Sequence, residues 1–156
     1  MTEKRRIEKA TIDAFVALHN EIYGTSYSVR EYGDAPDAAC VSAQGDFLNI
    51  EVCITEDRPG DIPWLLGKTD KRPYLGNSGS CLPGNVLTQL GQRLDKKSLM
   101  RYGEQTALVI RDSSGVDWDW EDIKPQVQDH LQQCGNPFQM GVWIVNRSLT
   151  RLHRIG

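Results

Sequence analysis

The nine residues Phe47–Thr55, FLNIEVCIT, carry apolar side chains on both alternating faces. A strand of that kind must be covered on both sides, so it belongs inside a sheet. Asp37–Ser42 is a second strand candidate, joined to it by the short polar turn Ala43-Gln44-Gly45-Asp46. If the turn is the three-residue loop Ala43-Gln44-Gly45, glycine takes the left-handed bulge position that it favours. Ser42 then faces Asp46, and counting inward sets Asp37 opposite Glu51 on one face of the sheet. A two- or four-residue loop shifts the pairing by one and sends the two carboxylates to opposite sides.

The rest of the chain alternates helices and strands. Ile12, Phe15, Val16, His19, Ile22 and Tyr23 recur at helical spacing, with Thr11 as the expected cap and Gly24 as the stop. His19 falls on the apolar stripe, where a hydrogen-bonded core histidine is expected ahead of a ligand. Residues 57–83, with Pro59, Pro63, Pro73 and Pro83, read as an irregular insertion. The GNSGS segment within it has Ser80 where a nucleophile elbow needs glycine, and it lacks the P-loop lysine, so neither site is assigned. A second helix is expected from about Asn85 to Tyr102, then the strand Thr106–Asp112. The acidic turn Asp117–Asp122 leads into a helix from near Pro125 to Gly135, and the strands Gly141–Asn146 and Thr150–Ile155 follow. The acidic residues before that helix suit its dipole and are left out of the active site. The order α-β-β-α-β-α-β-β predicts an α/β sandwich around a mixed sheet, as one domain over 1–156.

Size and composition are those of a globular domain, 156 residues with 39% hydrophobic and 25% charged side chains. A chain of this length buries about two thirds of its surface on folding. No apolar run approaches the roughly 20 residues that span a bilayer, and the charged start runs into polar, helix-like sequence, which argues against a secretory signal. Cys40, Cys53, Cys81 and Cys134 show no CxxC spacing, so free thiols in a reducing cytoplasm are expected. The net charge of −3 is uneven. Residues 1–57 carry five basic and eleven acidic side chains (−6), and residues 58–101 eight basic and three acidic (+5). An acidic protein is a poor indiscriminate DNA binder. A basic middle beside an acidic segment instead suits a phosphate-attracting surface next to a carboxylate site. Arg58, Lys68, Lys71, Arg72 and Arg93 are the candidate phosphate contacts, with Trp64 and Tyr74 close in sequence.

Two carboxylates on adjacent strands can hold a hard divalent cation through oxygen ligands. Such a metal activates water and stabilises charge on a scissile phosphate. Pro36-Asp37, thirteen intervening residues and then Glu51-Val52-Cys53 resemble the signature of the PD-(D/E)XK nuclease superfamily. The order helix, hairpin, helix, strand is similar to its common core from Ile12 onward. Ile50-Glu51-Val52, Leu94-Asp95-Lys96-Lys97 with Tyr102, and Ala107–Ile110 are similar to the pattern of its small members. The resemblance implies a restriction-endonuclease-like fold, its central mixed sheet flanked by helices. It also implies Mg²⁺ (or Mn²⁺) on Asp37 and Glu51, and a nucleic-acid substrate, DNA before RNA.

One position departs from the pattern. Cys53 stands where the family has the lysine that orients the attacking water and offsets transition-state charge, which a thiol cannot do. Families of this kind sometimes supply the lysine from the neighbouring helix, and Lys97 is placed to do so; a snorkelling surface lysine is the alternative. Glu21 is the nearest match to an assisting helical glutamate but lies off the apolar stripe. The expectations are therefore a Mg²⁺-dependent phosphodiesterase with catalytic Asp37, Glu51 and Lys97, or a catalytically inactive relative that binds nucleic acid or protein. A cytoplasmic location, no membrane association and compatibility with a homo-oligomer complete them.

Overall fold

A computed structural model of the chain describes residues 2–55, 105–112 and 138–156, together with Glu121, Lys124, Pro125, Gln128, Asp129 and Gln132. One helix, α1 (Glu3–Tyr23), packs on a six-stranded mixed sheet of β1 (Ser28–Tyr32), β2 (Ala38–Val41), β3 (Phe47–Thr55), β4 (Thr106–Asp112), β5 (Val142–Val145) and β6 (Leu152–Arg154). The strands lie in sequence order. β1–β2–β3 is an antiparallel meander, β3, β4 and β5 are mutually parallel, and β6 returns antiparallel. Parallel neighbours need crossover connections. The chain therefore crosses over between Thr55 and Thr106, and again between Asp112 and Val142.

β3 and β4 have the bounds their apolar runs predicted, and β3 lies inside the sheet. The expected second helix lies outside the described residues, while the six described positions from Glu121 to Gln132 are helical. Two expectations are corrected. Thr11 is not a cap: α1 begins at Glu3, capped by Thr2, whose Oγ1 accepts from the Arg5 N–H at 3.3 Å. The charged segment before Thr11 is helical because the buried stripe extends back through Ile7 and Glu8. Gly24 does close α1, at φ 65. The second correction is β1, which the expected element order omitted. Its SVREY sequence is mostly exposed and lacks apolar alternation, as suits a charged edge strand carrying a bulge between Val29 and Glu31.

Ile12, Phe15 and Val16 pack against Ala38, Cys40, Leu48, Ile50, Val52, Ala107, Val109, Trp143 and Val145. Each such fully buried side chain of Leu or Phe size contributes about 1.5–3 kcal/mol. The opposite sides of β4 and β5, at Leu108, Ile110, Val142 and Ile144, are equally buried. Among the described residues no helix is long and apolar enough to cross a membrane.

Two polar features lock α1 onto this sheet. Arg111 on β4 is buried; its Nη1 donates to Thr11 Oγ1 at 3.1 Å and its Nη2 to the Arg147 carbonyl at 2.7 Å. Burial, then Arg147, bring its guanidinium down to about 10 against the opposing pull of Asp112, so it stays charged at neutral pH. Thr11 in turn donates to the Ile7 carbonyl at 2.7 Å. Thr11→Val keeps the shape but removes the acceptor from a buried cation. We expect it to lower unfolding stability by about 1.5–3 kcal/mol, read as a reduced urea midpoint with an unchanged slope. A midpoint equal to that of the native chain would show that Thr11 does not hold Arg111.

His19 sits at the other end of α1 among the rings of Phe15, Tyr23, Tyr27 and Trp143, at centroid distances of 4.9–5.9 Å. It is the hydrogen-bonded, partly buried histidine that its stripe position predicted. Thr25 spends its hydroxyl proton on Asn20 Oδ1, so its oxygen accepts from His19 Nδ1 at 2.8 Å and fixes the tautomer. Burial, and then the charge of Arg154, hold this imidazole below its usual 6.5. The unfolded chain therefore takes up the proton first. The stability contribution is complete above about 6.5 and is lost as pH falls through the lower folded value. Urea titrations should show native protein losing stability relative to His19→Gln as pH falls below about 6.5. Parallel curves for the two proteins would refute a depressed His19.

Candidate functional site

The site begins with the hairpin. Ser42 donates its N–H to the Asp46 carbonyl at 2.8 Å, and Gly45, at φ 89, donates to the Ser42 carbonyl at 3.0 Å. This is the three-residue loop, and glycine fills its left-handed position. Asp46 also donates its N–H to Ser42 Oγ at 3.0 Å. From there the register runs Val41↔Phe47, Cys40↔Leu48, Ala39↔Asn49 and Ala38↔Ile50. The ladder ends there, and Asp37 is the residue just before β2. Ile50 and Val52 face α1 in the core, so Glu51 points to the other face, together with Asn49 and Cys53.

β2 stops where it does because of Pro36, which has no N–H to give to a ladder. The Ala35–Pro36 bond is cis. The Val52 N–H lies beyond the last ladder pair, Ala38↔Ile50, and Asp37 supplies its acceptor: Oδ2 accepts the Val52 N–H at 2.8 Å. Asp37 is therefore half-buried and anchored through one carboxylate oxygen to the residue after Glu51. Its carbonyl accepts from the Gly33 N–H at 3.0 Å, which closes the loop 33–37. Glu51 is 7% exposed.

An octahedral cation such as Mg²⁺ needs only one or two protein carboxylates, because water completes its shell. The donor set of Asp37 and Glu51 fits that requirement. Among the described residues no group of three or more His, Cys, Asp or Glu converges, so a softer or all-protein metal centre is not indicated there. Cys53, two residues beyond Glu51 on the same face and beside Ile110, is a buried cysteine outside any disulfide. Cys40 on the α1 face is free, and burial, then Asp13, push its thiol up to about 11. Its low thiolate content makes it a poor nucleophile at neutral pH.

Glu21 is exposed near the C-terminus of α1. The helix covers the face opposite Glu51, and Glu21 stands about 24 Å along its axis from Arg5, which contacts the loop leading into Asp37. The structure does not bring Glu21 to the pair. Lys97, Arg58, Lys68, Lys71, Arg72 and Arg93 lie outside the described residues.

Sequence reasoning missed the group that holds the Asp37 loop. Arg5 Nη1 donates to the Gly33 carbonyl, and Nη2 pairs with Asp34. No local signal announces this, because the partners are 28 residues apart and only the helix docking joins them.

Comparisons with protein-family models, with curated proteins and with solved structures find no match.

The Asp37–Val52 bond separates charge from hydrogen bonding in a simple way. Asp37→Asn keeps an oxygen acceptor for Val52 and should leave stability nearly unchanged. Asp37→Ala strands a backbone N–H and should cost about 1–3 kcal/mol in urea unfolding. Equal stability of the two variants would mean that the bond contributes nothing to the fold.

Proposed function

We propose that this chain is a metal-dependent phosphodiesterase of the PD-(D/E)XK type, acting on nucleic acid with Asp37 and Glu51 as ligands of Mg²⁺ or Mn²⁺. The observation that carries this reading is the bond from Asp37 Oδ2 to the Val52 N–H, which holds one carboxylate beside the residue that follows Glu51 on the adjacent strand. The order of a helix, an antiparallel hairpin and a parallel strand reached by a crossover agrees with a restriction-endonuclease-like sandwich. When bound, the metal would supply a Lewis acid for the phosphate and an activated water. Asp37 and Glu51 would hold it, with Asp37 oriented by its bond to Val52. Lys97 would contribute the positive charge that Cys53 cannot, and Arg58, Lys68, Lys71, Arg72 and Arg93 would draw in the phosphate backbone.

A second reading has its own observation. Cys53 is buried at the position of the family's lysine, which suits a relative that keeps the fold and the binding surface without cleavage.

Thermal melts with millimolar Mg²⁺ or Mn²⁺ decide whether the pair binds metal. At about 100-fold over Kd the ion adds about 2.7 kcal/mol, a rise in Tm of roughly 5–10 °C for a chain of this size. Glu51→Ala should abolish the rise. Incubation with supercoiled, linear and single-stranded DNA and with RNA then separates the readings: metal-dependent cleavage lost in Glu51→Ala and Lys97→Ala supports the enzyme. Metal binding without cleavage supports the binding module. No metal-dependent shift in the native chain overturns the nuclease.

A further inference from the structure

The loop between β1 and β2 delivers Asp37 to its position, and α1 grips that loop along one line of side chains. Arg5, Lys9 and Asp13 are spaced by four residues, so they lie along one face of the helix. At the start of the loop, the Tyr32 hydroxyl donates to Asp13 Oδ1. Lys9 donates to Asp13 Oδ2 at 2.9 Å and lies over the Tyr32 ring at 5.1 Å. One residue on, Arg5 donates to the Gly33 carbonyl and reaches Asp34. The Gly33 N–H is bonded to the Asp37 carbonyl at 3.0 Å, and Asp37 Oδ2 to the Val52 N–H at 2.8 Å. A continuous path of hydrogen bonds thus runs from Arg5 through Gly33 and Asp37 to β3, next to Glu51.

The contacts differ in weight. Asp34 is 87% exposed, and an exposed ion pair contributes little. The Arg5 contact with the Gly33 carbonyl is part-buried, and that carbonyl belongs to the same residue whose N–H bonds Asp37. Space at this residue is short too, since a Cβ added to Gly33 would come within 3.1 Å of the Pro36 carbonyl oxygen. The loop therefore has little room to take up a displacement.

We propose that Arg5 is a positioning residue for the metal site, fixing the Asp37 carboxylate through Gly33 without itself touching the ion. The inference rests on the reading in which Asp37 and Glu51 bind metal. Residues that orient a ligand from outside the coordination shell commonly change metal affinity by about 10–100-fold.

The test uses the full chain and two readouts, Mn²⁺ affinity by titration and hydrogen exchange of the Val52 amide compared with the core amides of Leu48 and Val109. Arg5→Ala should weaken Mn²⁺ binding about 10-fold or more and speed exchange at Val52 while leaving Leu48 and Val109 at native rates. Asp34→Ala, which removes only the exposed pair, should change neither readout appreciably. Arg5→Lys keeps the charge but loses the guanidinium fork, so it should fall between native and Arg5→Ala; should Arg5→Ala fail to fold, Arg5→Lys must still show weakened binding and faster Val52 exchange. Native Mn²⁺ affinity in a folded Arg5→Ala overturns the inference, as does acceleration at all three amides alike, which marks a general loss of stability. A native chain that binds no Mn²⁺ overturns the metal reading and the positioning role with it, and Val52 exchange in Arg5→Ala then reports whether the linkage from Arg5 to Asp37 exists without a metal to serve.

Discussion

The register between β2 and β3 is the constraint on which the remaining structure depends. It is set by a loop of three residues, closed by the Ser42–Asp46 pair and permitted by a left-handed Gly45. Side chains alternate at every step of a strand, so one residue more or less would exchange the two faces of β2 relative to β3. Leu48 and Ile50 contribute to the core under α1 because that register puts Cys40 and Ala38 beside them. The same count turns Glu51 to the face away from α1. Core formation and the facing of Glu51 are therefore two results of one turn, and a change to the turn cannot alter one alone.

The end of β2 shows a related economy. Pro36 terminates the ladder, and termination would leave the Val52 N–H without a partner. Asp37 meets that need with one carboxylate oxygen and retains the other. A stranded buried amide costs more than an exposed ion pair contributes. The fold thus has its own reason to keep a side-chain acceptor at residue 37, independent of any metal. Charge at residue 37 is a separate matter, since a neutral amide would satisfy Val52 equally well. The carboxylate is what a cation needs, and the backbone needs only the oxygen.

The parts of the fold legible in the sequence were those fixed by local pattern. β3 and β4 are apolar runs and were read with their observed ends. Gly24 marks the left-handed stop of α1, and Gly45 suited the three-residue loop among the loop lengths open to the hairpin. β1 was missed because an exposed edge strand has no need of apolar alternation. Thr11 passed for a cap because a threonine before an apolar stripe is the usual cap signal. Its actual work is tertiary, since its hydroxyl meets an arginine from β4. In the site, the β2–β3 register could be counted from a three-residue loop. The bond from Asp37 to Val52 and the reach of Arg5 to Gly33 could not, because both depend on where the loop and helix settle after packing.

The bond between Arg111 and Thr11 joins residues 100 positions apart, and it bears on how the chain is made as well as how it stands. Contacts of such sequence separation form late, after the entropy of a large loop has been overcome. During synthesis α1 emerges before the sheet. At about 5–20 residues per second, on the order of 5–20 s separate the appearance of Thr11 from that of its arginine. Ile12, Phe15 and Val16 have no complete sheet to cover them in that interval. The segment that becomes the helix packed on the sheet is, for those seconds, a stretch of nascent chain on which chaperones would find exposed apolar surface.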